Sequence, residues 1–332
     1  MDTFRISVVI PTYNSAETLR ELLDSLFRSD YSDYKNPFEV VVIDDCSTDD
    51  TQRVLLDFPD VLSIFLDRNR GPAYARNLGV EKARGQFILF LDSDVVVQPD
   101  TLRRTSDFFS AHPASCIMIG VYLPEPKNKG IFPRYKALQC LSYYAHLPDV
   151  SLTTIFWTGI AAICKETFCK LGGFDSDRYP TPGLEDVDLG RRAGHRGHRI
   201  RLDRNVQVSH NFSTDLWGNF KNHYHRGVQW GELYLRSGKF DNYVTTRIHA
   251  FGRICAFLSL IFLIFAPFSS IAGYIGIFLI VLYLIANFRL LRVFIQKAPL
   301  SLPLLILIDY ILAIALGLAG IRVAYQKIKD FC

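Results

Sequence analysis

Three polar clusters within the first hundred residues have the residue types and spacing needed for chemistry on a phosphate-bearing ligand. They are Asp92-Ser93-Asp94, the segment Asp44-Asp45-Cys46-Ser47-Thr48-Asp49, and the segment Pro11-Thr12-Tyr13-Asn14. Two carboxylates that flank one residue offer the hard oxygen ligands that Mg²⁺ or Mn²⁺ binds together with substrate phosphates. Such a cation would neutralise the charge that develops on a departing diphosphate. The alternative, that Asp-Ser-Asp forms an ordinary turn, stays open on these residues alone.

A second acidic focus lies at Glu185-Asp186, which follows the loop 180–183 and begins a predicted helix. A carboxylate at this position could take the proton from an attacking hydroxyl group. Acidic residues at a helix N-terminus also stabilise the helix dipole, so a purely structural interpretation remains open.

Three single residues near these clusters have both a chemical and a structural interpretation. Asp45 could bind a base or a ribose, as an acid after a strand does in dinucleotide-binding folds, or it could cap the next helix. Arg76 could reach a diphosphate, or it could lie on a solvated helix face. His210 ends a predicted strand and could complete the metal site, or it could be a structural histidine.

The elements that position these residues are short apolar strands that alternate with helices. Strands are predicted at 6–10, 39–43, 62–66 and 87–91, and helices at 16–27, 51–56 and 73–83. This alternation is typical of βαβ units and a parallel sheet, and uninterrupted apolar strands indicate that both faces are covered. Ligands of such sheets bind beyond the carboxyl ends of the strands, so we expect the clusters to meet at one edge. Further strands are predicted at 115–122, 155–164 and 200–210, and further helices at 165–171, 186–196 and 217–235.

Composition excludes several classes of protein. The chain has 332 residues and a formal net charge of +4, which is too small to indicate nucleic-acid binding. Its seven cysteines are an odd number without a Cys-x-x-Cys pair, which argues against a disulfide framework and a cysteine-rich zinc site. No basic and apolar leader precedes the first strand, so no signal peptide is expected. A dinucleotide-dependent oxidoreductase would need Gly-x-Gly-x-x-Gly where Pro11-Thr12-Tyr13-Asn14 stands.

The C-terminal third of the sequence is apolar enough to require a membrane. Residues 254–288 carry no charge and are interrupted at 267–270, which predicts a hairpin of two short spans. Residues 299–321 form a third candidate span that contains Asp309, with a re-entrant or interfacial segment as the alternative. The helix at 217–235 is predicted to be amphipathic and to lie in the membrane interface. Basic residues flank the hairpin, and the positive-inside rule therefore predicts a cytoplasmic N-terminal part; they are Arg247, Arg253, Arg289, Arg292 and Lys297.

Residues 5–230 resemble the family 2 glycosyltransferases of the GT-A fold, because five motifs occur in the same order. They are Pro-x-Tyr-Asn at 11–14, Asp-Asp-x-Ser-Thr-Asp at 44–49, Gly-x-x-x-Ala-Arg-Asn-x-Gly at 71–79, Asp-x-Asp at 92–94, and Gly-Gly-Phe-Asp with Glu-Asp-x-Asp-Leu at 172–189. The resemblance implies a Rossmann-like mixed α/β sheet at 1–215, with a donor half at about 1–110 and an acceptor half at about 111–215. An interfacial helix region at 216–250 and a transmembrane region at 251–332 with two to three helices would follow.

The resemblance also implies a role for each matching residue. The nucleotide-sugar donor would be bound by Pro11, Tyr13, Asp45, Arg76, Asp92 and Ser93. A Mn²⁺ or Mg²⁺ ion would be held by Asp92, Asp94 and His210. Asp186 would be the catalytic base of an inverting transfer. The acceptor and pyrophosphate region would include Trp157, Gly159, Glu185, His223 and Arg226.

The expected activity is sugar transfer, with a UDP-sugar as the favoured donor, to a hydroxyl of a lipid-linked or glycan acceptor at the cytoplasmic membrane face. Two features bear on the acceptor. The (Gln/Arg)-x-x-Arg-Trp motif of membrane polysaccharide synthases is replaced by His223-Tyr224-His225-Arg226-Gly227, which leaves a pyrophosphate role of Arg226 open. The Glu-Asp pair favours a hydroxyl acceptor, since a phosphate acceptor needs no base. A polyprenyl-phosphate glycosyltransferase and a non-catalytic, membrane-tethered sugar-nucleotide-binding protein remain as alternatives.

Overall fold

The computed structural model describes residues 5–30, 38–238 and 246–329 and divides the chain into two compact units. The first unit comprises Met1–Asn128 and Leu147–Asn211, and the second comprises Lys129–His146 and Phe212–Cys332. The resemblance implies a continuous domain at 1–215, whereas the structure groups residues 129–146 with the C-terminal part.

The described strands are β1 (Ile6–Thr12), β2 (Glu39–Asp44), β3 (Val61–Phe65), β4 (Phe87–Leu91), β5 (Val95–Val97), β6 (Ile117–Tyr122), β7 (Val150–Thr153), β8 (Ile160–Cys164) and β9 (Ile200–His210). The described helices are α1 (Ala16–Phe27), α2 (Thr51–Leu56), α3 (Pro72–Lys82), α4 (Thr101–Ala111), α5 (Ile131–Tyr144), α6 (Lys165–Leu171), α7 (Glu185–His195), α8 (Leu216–Ser237), α9 (Arg247–Phe265), α10 (Ser270–Ala286), α11 (Phe288–Lys297) and α12 (Leu302–Lys329).

The first unit is built on one mixed sheet with the strand order β3-β2-β1-β4-β8-β6-β9-β5, and β7 pairs with β9. The pairs β1–β2, β1–β4 and β2–β3 are parallel, whereas β8 runs antiparallel to β4 and β6. The predicted α/β class, the mixed sheet and the first four strands are therefore confirmed.

The central strands are mostly apolar because helices cover both faces of the sheet. Every residue of β1, β2 and β4 is buried. Helix α1 packs a stripe of leucines at helical spacing into this core, namely Leu19, Leu22, Leu23 and Leu26. Helix α3 approaches β1 closely at Gly79, where an added Cβ would lie 2.4 Å from Val9 Cγ1. This close packing requires a glycine at position 79 and holds α3 against β1.

The second unit is helical and contains the apolar C-terminal sequence. By length and composition, two described helical segments could cross a membrane, Arg247–Phe265 and Pro299–Lys327. Helices α10 and α11 meet the same criterion only together, and they are bent by 72° at a break, as in a broken span or a re-entrant loop. The predicted interruption lies between α9 and α10, where the Ser269 hydroxyl accepts the backbone N–H of Ala272. Helix α5 was not predicted, since its polar and apolar residues are not separated on opposite faces and Pro133 lies in its first turn.

Asp309, the one charge in the third apolar stretch, is buried in an ion pair. Arg253 Nη1 lies 2.7 Å from Asp309 Oδ2, and Arg253 Nη2 lies 3.2 Å from Oδ1. The hydroxyls of Tyr135 and Tyr283 donate to the same carboxylate, each at 2.6 Å. One acid therefore joins α5, α9, α10 and α12. An ionised residue among apolar helices is tolerated here because both of its oxygens are fully satisfied.

We expect Asp309→Asn to lower the free energy of unfolding by about 3–5 kcal/mol, because the buried guanidinium of Arg253 would lose its counter-charge. The measurement is thermal or denaturant unfolding of the purified protein in detergent. The double variant Arg253→Met with Asp309→Leu removes both charges and should recover much of that loss. A single variant as stable as the parent protein would contradict this role of Asp309.

Candidate active site

The carboxyl ends of β1 and β2 lie side by side, and the loops that follow them are tied together. Thr12 is paired with Asp44 at the end of the parallel ladder. Asn14, at φ 49°, accepts backbone N–H groups of the 44–49 segment through its side-chain oxygen, at 2.8 Å from Thr48 N and 3.4 Å from Asp49 N. The side chain of Tyr13, the residue before Asn14, is 49% exposed. An exposed aromatic ring beyond a sheet edge can stack on a planar base.

Asp45 orders the loop that precedes α3. Its two carboxylate oxygens accept the backbone N–H groups of Arg70 at 2.7 Å and of Gly71 at 2.8 Å. Gly71 has φ +81°, and an added Cβ would lie 2.3 Å from the carbonyl oxygen of Pro180. A glycine is therefore required both by conformation and by space. Asp45 therefore does not cap the helix after β2, because both of its oxygens accept N–H groups of the loop before α3. The role of Asp45 toward a nucleobase stays a prediction.

Arg76 joins the Asp-x-Asp motif to the Glu-Asp pair. Its Nη2 lies 2.6 Å from Asp92 Oδ1, and its Nη1 lies 2.8 Å from Glu185 Oε1. Arg76 is buried, so it does not lie on a solvated helix face. Burial alone would lower the pKa of the guanidinium, but the carboxylates of Asp92, Glu185 and Asp186 raise it. Two acidic motifs that lie 93 residues apart in the chain therefore share one cation.

Asp94 and His210 meet because β5 runs antiparallel to the end of β9, with Val95 opposite His210. His210 Nε2 lies 3.4 Å from Asp94 Oδ1. Desolvation in the cleft, with a further contribution from Asp92, raises the pKa of the Asp94 carboxyl, while His210 opposes the shift. A bound cation would stabilise this carboxylate, so Asp94 and His210 fit as two ligands of a divalent metal.

The third predicted metal ligand, Asp92, is turned to Arg76 instead. Accordingly, among residues 5–30, 38–238 and 246–329 no group of three His, Cys, Asp or Glu side chains is close enough to hold a metal ion. Ser93, between the two acids, has its hydroxyl 3.2 Å from that of Ser15. Asp94 and His210 would thus need substrate phosphate oxygens or a movement of Asp92 to complete a coordination shell.

Glu185 and Asp186 are adjacent in sequence but have different environments. Glu185 is buried, with one oxygen bound to Arg76 and the other accepting Gly183 N–H at 2.9 Å. Asp186 is partly exposed, and it accepts backbone N–H groups from Thr158 at 3.3 Å and from Val187 at 2.7 Å. Hydrogen bonds to a carboxylate hold it in place as an ionised group. Of the two acids, Asp186 is therefore the one that an acceptor can reach.

An aromatic group lies beside His210. The ring of Tyr122 packs edge-on against His210, with 4.8 Å between centroids, and stacks on Trp157 at 6.3 Å. The Trp157 indole donates to the carbonyl of Gly120 at 3.2 Å. Gly159 provides room for this arrangement, since an added Cβ would lie 1.7 Å from Tyr122 Oη. Tyr122 was not predicted as a site residue; its position as the last residue of β6 is the signal that identifies it.

Other residues of the motifs act on the backbone. The Asn77 amide donates to the carbonyl of Phe174 at 2.8 Å and accepts its N–H at 2.9 Å. Asp188 holds Arg192, which donates to the carbonyls of Leu171 and Gly173, each at 2.7 Å. These contacts fix the Gly-Gly-Phe-Asp turn, so they position the site without facing a ligand.

Three further predicted site residues lie elsewhere. Pro11 is buried within β1, and His223 and Arg226 belong to α8 of the second unit.

Comparisons with known proteins relate the N-terminal half of the chain to a glycosyltransferase family. Residues 7–171 match the family model described as Glycosyl transferase family 2, a match that ends before Asp186. TarS of Staphylococcus aureus, a poly(ribitol-phosphate) β-N-acetylglucosaminyltransferase, is 37% identical over 119 residues, which are 35% of this chain and 20% of TarS. The succinoglycan biosynthesis protein ExoO of Rhizobium meliloti is 46% identical over 101 residues, 30% of this chain and 28% of ExoO.

A longer match is to the validoxylamine A glucosyltransferase of Streptomyces hygroscopicus subsp. jinggangensis, at 30% identity over 231 residues. It covers 60% of this chain and 53% of that protein. The chain thus spans from about a fifth to about half of the length of these curated relatives.

Two solved structures share the fold over almost the whole chain. The mannosyltransferase PcManGT from Pyrobaculum calidifontis, in complex with GDP-Man and Mn²⁺, aligns with a TM-score of 0.58 at 22% identity, covering 97% of this chain and 88% of that one. S. aureus TarS 1–349 in complex with UDP aligns with a TM-score of 0.52 at 20% identity, covering 98% and 92%. At such identities the likeness demonstrates a common fold.

Proposed function

Because the chain belongs to glycosyl transferase family 2 and has the GT-A fold, we propose that it transfers a sugar from a nucleoside-diphosphate donor to an acceptor hydroxyl with inversion at the anomeric carbon. The observation that carries the proposal is the ionic connection from Asp92 through Arg76 to Glu185, next to Asp186. It supports the proposal because it brings the Asp-x-Asp motif and the Glu-Asp pair together within the first unit.

The donor would lie across the carboxyl ends of β1, β2 and β4. Tyr13 would stack on the base, and the loop held by Asp45 would shape the pocket around it. Related structures contain UDP or GDP-Man, which supports a nucleotide-sugar donor, and we favour a UDP-sugar. Arg76 would contribute to diphosphate binding mainly by orienting Asp92, because its own guanidinium is buried between two carboxylates.

A bound divalent cation would neutralise the negative charge of the leaving diphosphate. Asp94 and His210 would hold it, with Asp92 as a further ligand once the donor is present. The Mn²⁺ in the related mannosyltransferase structure supports this assignment. Within the chain itself, β5 and β9 hold the two groups side by side, so no large rearrangement is needed to bring them to one ion.

Asp186 would accept the proton of the acceptor hydroxyl as that oxygen attacks the anomeric carbon from the face opposite the diphosphate. The backbone N–H groups of Thr158 and Val187 hold the carboxylate in place for this step. Trp157 and Tyr122 would line the acceptor side, and apolar aromatic faces there would exclude water that could hydrolyse the donor.

Screening the purified protein against a panel of nucleotide sugars tests the proposal. We expect one nucleotide sugar to raise the melting temperature and to be consumed, with more effect when Mn²⁺ is present. The absence of binding and turnover with every donor would contradict it and favour a different ligand. If transfer occurs to a polyprenyl phosphate instead, the product will be a glycosyl phosphate that mild acid cleaves, whereas a glycoside should survive that treatment.

We also propose that the C-terminal helices insert in a membrane with the first unit on the cytoplasmic side. Two helices of sufficient length and the basic residues around them support this topology. Cys169, an exposed thiol of the first unit, allows a test in a variant that retains this cysteine alone. We expect an impermeant maleimide to label it only after the cells are permeabilised. Labelling in intact cells would place the first unit outside.

A further inference from the structure

Helix α11 begins at the end of the apolar hairpin at which α9 also begins. Helices α9 and α10 run antiparallel, since an added Cβ on Gly252 would lie 2.8 Å from Ala286 Cβ. Further along the pair, an added Cβ on Gly276 would lie 2.9 Å from Leu263 Cγ. The chain then bends by 72° at Asn287, between α10 and α11. Helix α11 therefore leaves the hairpin sideways, beside the first turns of α9.

Helix α10 does not need α11 in order to cross a membrane. Its 17 residues, Ser270–Ala286, carry no charge. At about 1.5 Å per residue they extend for about 25 Å, and about 17–25 apolar residues are enough for a span. The ten residues of α11 include three basic residues, Arg289, Arg292 and Lys297, which are costly in hydrocarbon. The bend thus separates a sufficient span from a helix of different character.

The side chains of α11 form three stripes about a third of a turn apart. The first stripe is buried against the rest of the second unit, where the Phe294 ring lies 6.0 Å from that of Tyr135 on α5. The second is apolar but mostly exposed, and the third is polar and exposed. In this order, the members are Leu290, Val293 and Phe294; Phe288, Leu291 and Ile295; and Arg289, Arg292 and Gln296.

The orientation of these stripes is fixed by contacts within the second unit. Phe294 packs in the middle of the helix, and Arg134 Nη2 of α5 donates to the carbonyl of Lys297 at its C-terminal end, at 3.0 Å. Helix α11 therefore cannot turn its apolar stripe inward without losing this packing.

The two exposed stripes require different solvents. Phe288 and Ile295 are each 55% exposed, which is unfavourable in water. Arg289 and Arg292 are exposed as well, and a hydrocarbon environment would leave them without hydration. Each stripe meets a suitable solvent when the helix lies along the boundary between water and hydrocarbon.

The two arginines of the polar stripe are available for an anion. Among the described residues, no carboxylate lies within 4.0 Å of Arg289 or Arg292. The Arg289 guanidinium lies 5.9 Å from the centroid of the Phe288 ring. A guanidinium binds phosphate oxygens through two parallel N–H groups. Two guanidiniums one helical turn apart, beside an apolar stripe, therefore match the phosphates of an anionic lipid surface.

We propose that α11 lies in the plane of the membrane surface and that Arg289 and Arg292 bind the phosphates of anionic phospholipids there. The inference rests on the proposed membrane insertion of the hairpin but not on the transferase reaction. Under the proposed topology this surface belongs to the cytoplasmic leaflet, since α11 begins beside the first turns of α9. The bent pair is then a span followed by a surface helix, and not one broken span.

The first test measures membrane depth. Spin labels are placed on single cysteines introduced in the full chain by Phe288→Cys, Ile295→Cys and, in the middle of α10, Phe278→Cys, with phosphatidylcholine and phosphatidylglycerol in equal parts as the bilayer. Power saturation with oxygen and a water-soluble nickel complex reports the depth. We expect labels 288 and 295 at equal, shallow depth and label 278 far deeper. If α11 continued a span, seven residues would separate the depths of labels 288 and 295 by about 10 Å.

The second test measures lipid preference without any label. Native mass spectrometry of the full chain, released from the same bilayer, gives the ratio of retained phosphatidylglycerol to phosphatidylcholine. We expect Arg289→Gln with Arg292→Gln to lower this ratio by about fivefold or more, the worth of at least one basic residue at an anionic surface. Arg289→Lys with Arg292→Lys should keep most of it, which separates loss of charge from misfolding. Arg53→Gln removes an exposed arginine of the first unit and should leave the ratio within about twofold.

Four results would overturn the proposal. They are a depth that changes steadily from 288 to 295, a ratio that the double glutamine variant leaves unchanged, displacement of the lipid by an equal concentration of glycerol 3-phosphate, and a label at 278 that is open to water. The last would also contradict the proposed membrane insertion, whereas the first three leave it intact. No nucleotide sugar is present in either test, so an inactive enzyme would leave the inference standing and its failure would leave the transferase reaction standing.

Discussion

Replacing Asp186 by Asn should lower kcat by about 10²–10⁴-fold while donor binding is retained. An amide of the same size can still occupy the position beside Thr158 and Val187, but it cannot accept the proton of an attacking hydroxyl. Glu185 cannot substitute for it, because its two oxygens are bound to Arg76 and Gly183. The loss should therefore appear in the chemical step.

Steady-state kinetics together with donor titration by thermal shift would measure both quantities. Asp177→Asn is a matched control, since Asp177 is an exposed acid of the loop that precedes α7. It should leave kcat and donor affinity within about twofold of the parent values. An Asp186→Asn protein that loses donor affinity in proportion to its rate would show that Asp186 only shapes the loop, and the proposed base would be wrong.

Replacing Asp94 by Ala should reduce turnover by about 10³-fold or more, and excess chelator should have a comparable effect on the parent protein. The physical reason is that the diphosphate would leave without a cation to neutralise its charge. The fold should survive, because it is the backbone carbonyl of Asp94 that anchors Asn211 N–H at 2.8 Å, and this bond does not need the side chain.

Activity of the chelated parent protein should return on addition of Mn²⁺ or Mg²⁺, whereas that of the Asp94→Ala variant should not. Asp60→Ala, which removes an exposed acid before β3, is the control and should behave like the parent protein. Full turnover in excess chelator would rule out the metal site, whatever the effect of the substitution. A variant with normal unfolding and normal activity would exclude Asp94 as a ligand.

The sequence predicts the local elements of the first unit well, because their signals are local. The run at 87–91 is continuously apolar and that at 6–10 is apolar except for Ser7, and the structure confirms them as the buried strands β4 and β1. The leucine spacing in 16–27 likewise predicts α1, which the structure confirms. Helix α5 was not predicted from the sequence. Its residues are buried on several sides, so its sequence has no amphipathic periodicity.

The contacts that define the site could not be predicted in the same way, since they join distant positions. Arg76 lies 109 residues before Glu185, and no local pattern indicates that they form a buried ion pair. The sequence grouped Asp92 with Asp94 as metal ligands, but the structure shows that Asp92 is bound to the guanidinium of Arg76. The same holds for Asp309, a single charge in an apolar helix, because its partner Arg253 lies 56 residues earlier in the chain.

The central claim is that the first unit transfers a sugar from a nucleoside diphosphate to a hydroxyl with inversion. The most direct test is to record the anomeric proton coupling in the NMR spectrum of the product formed by the full chain from an α-linked nucleotide sugar. We predict a β-linked glycoside, with nucleoside diphosphate released in equal amount, and no product from the Asp186→Asn protein. An α-linked product, or an acid-labile glycosyl phosphate formed equally well by that variant, would contradict the account.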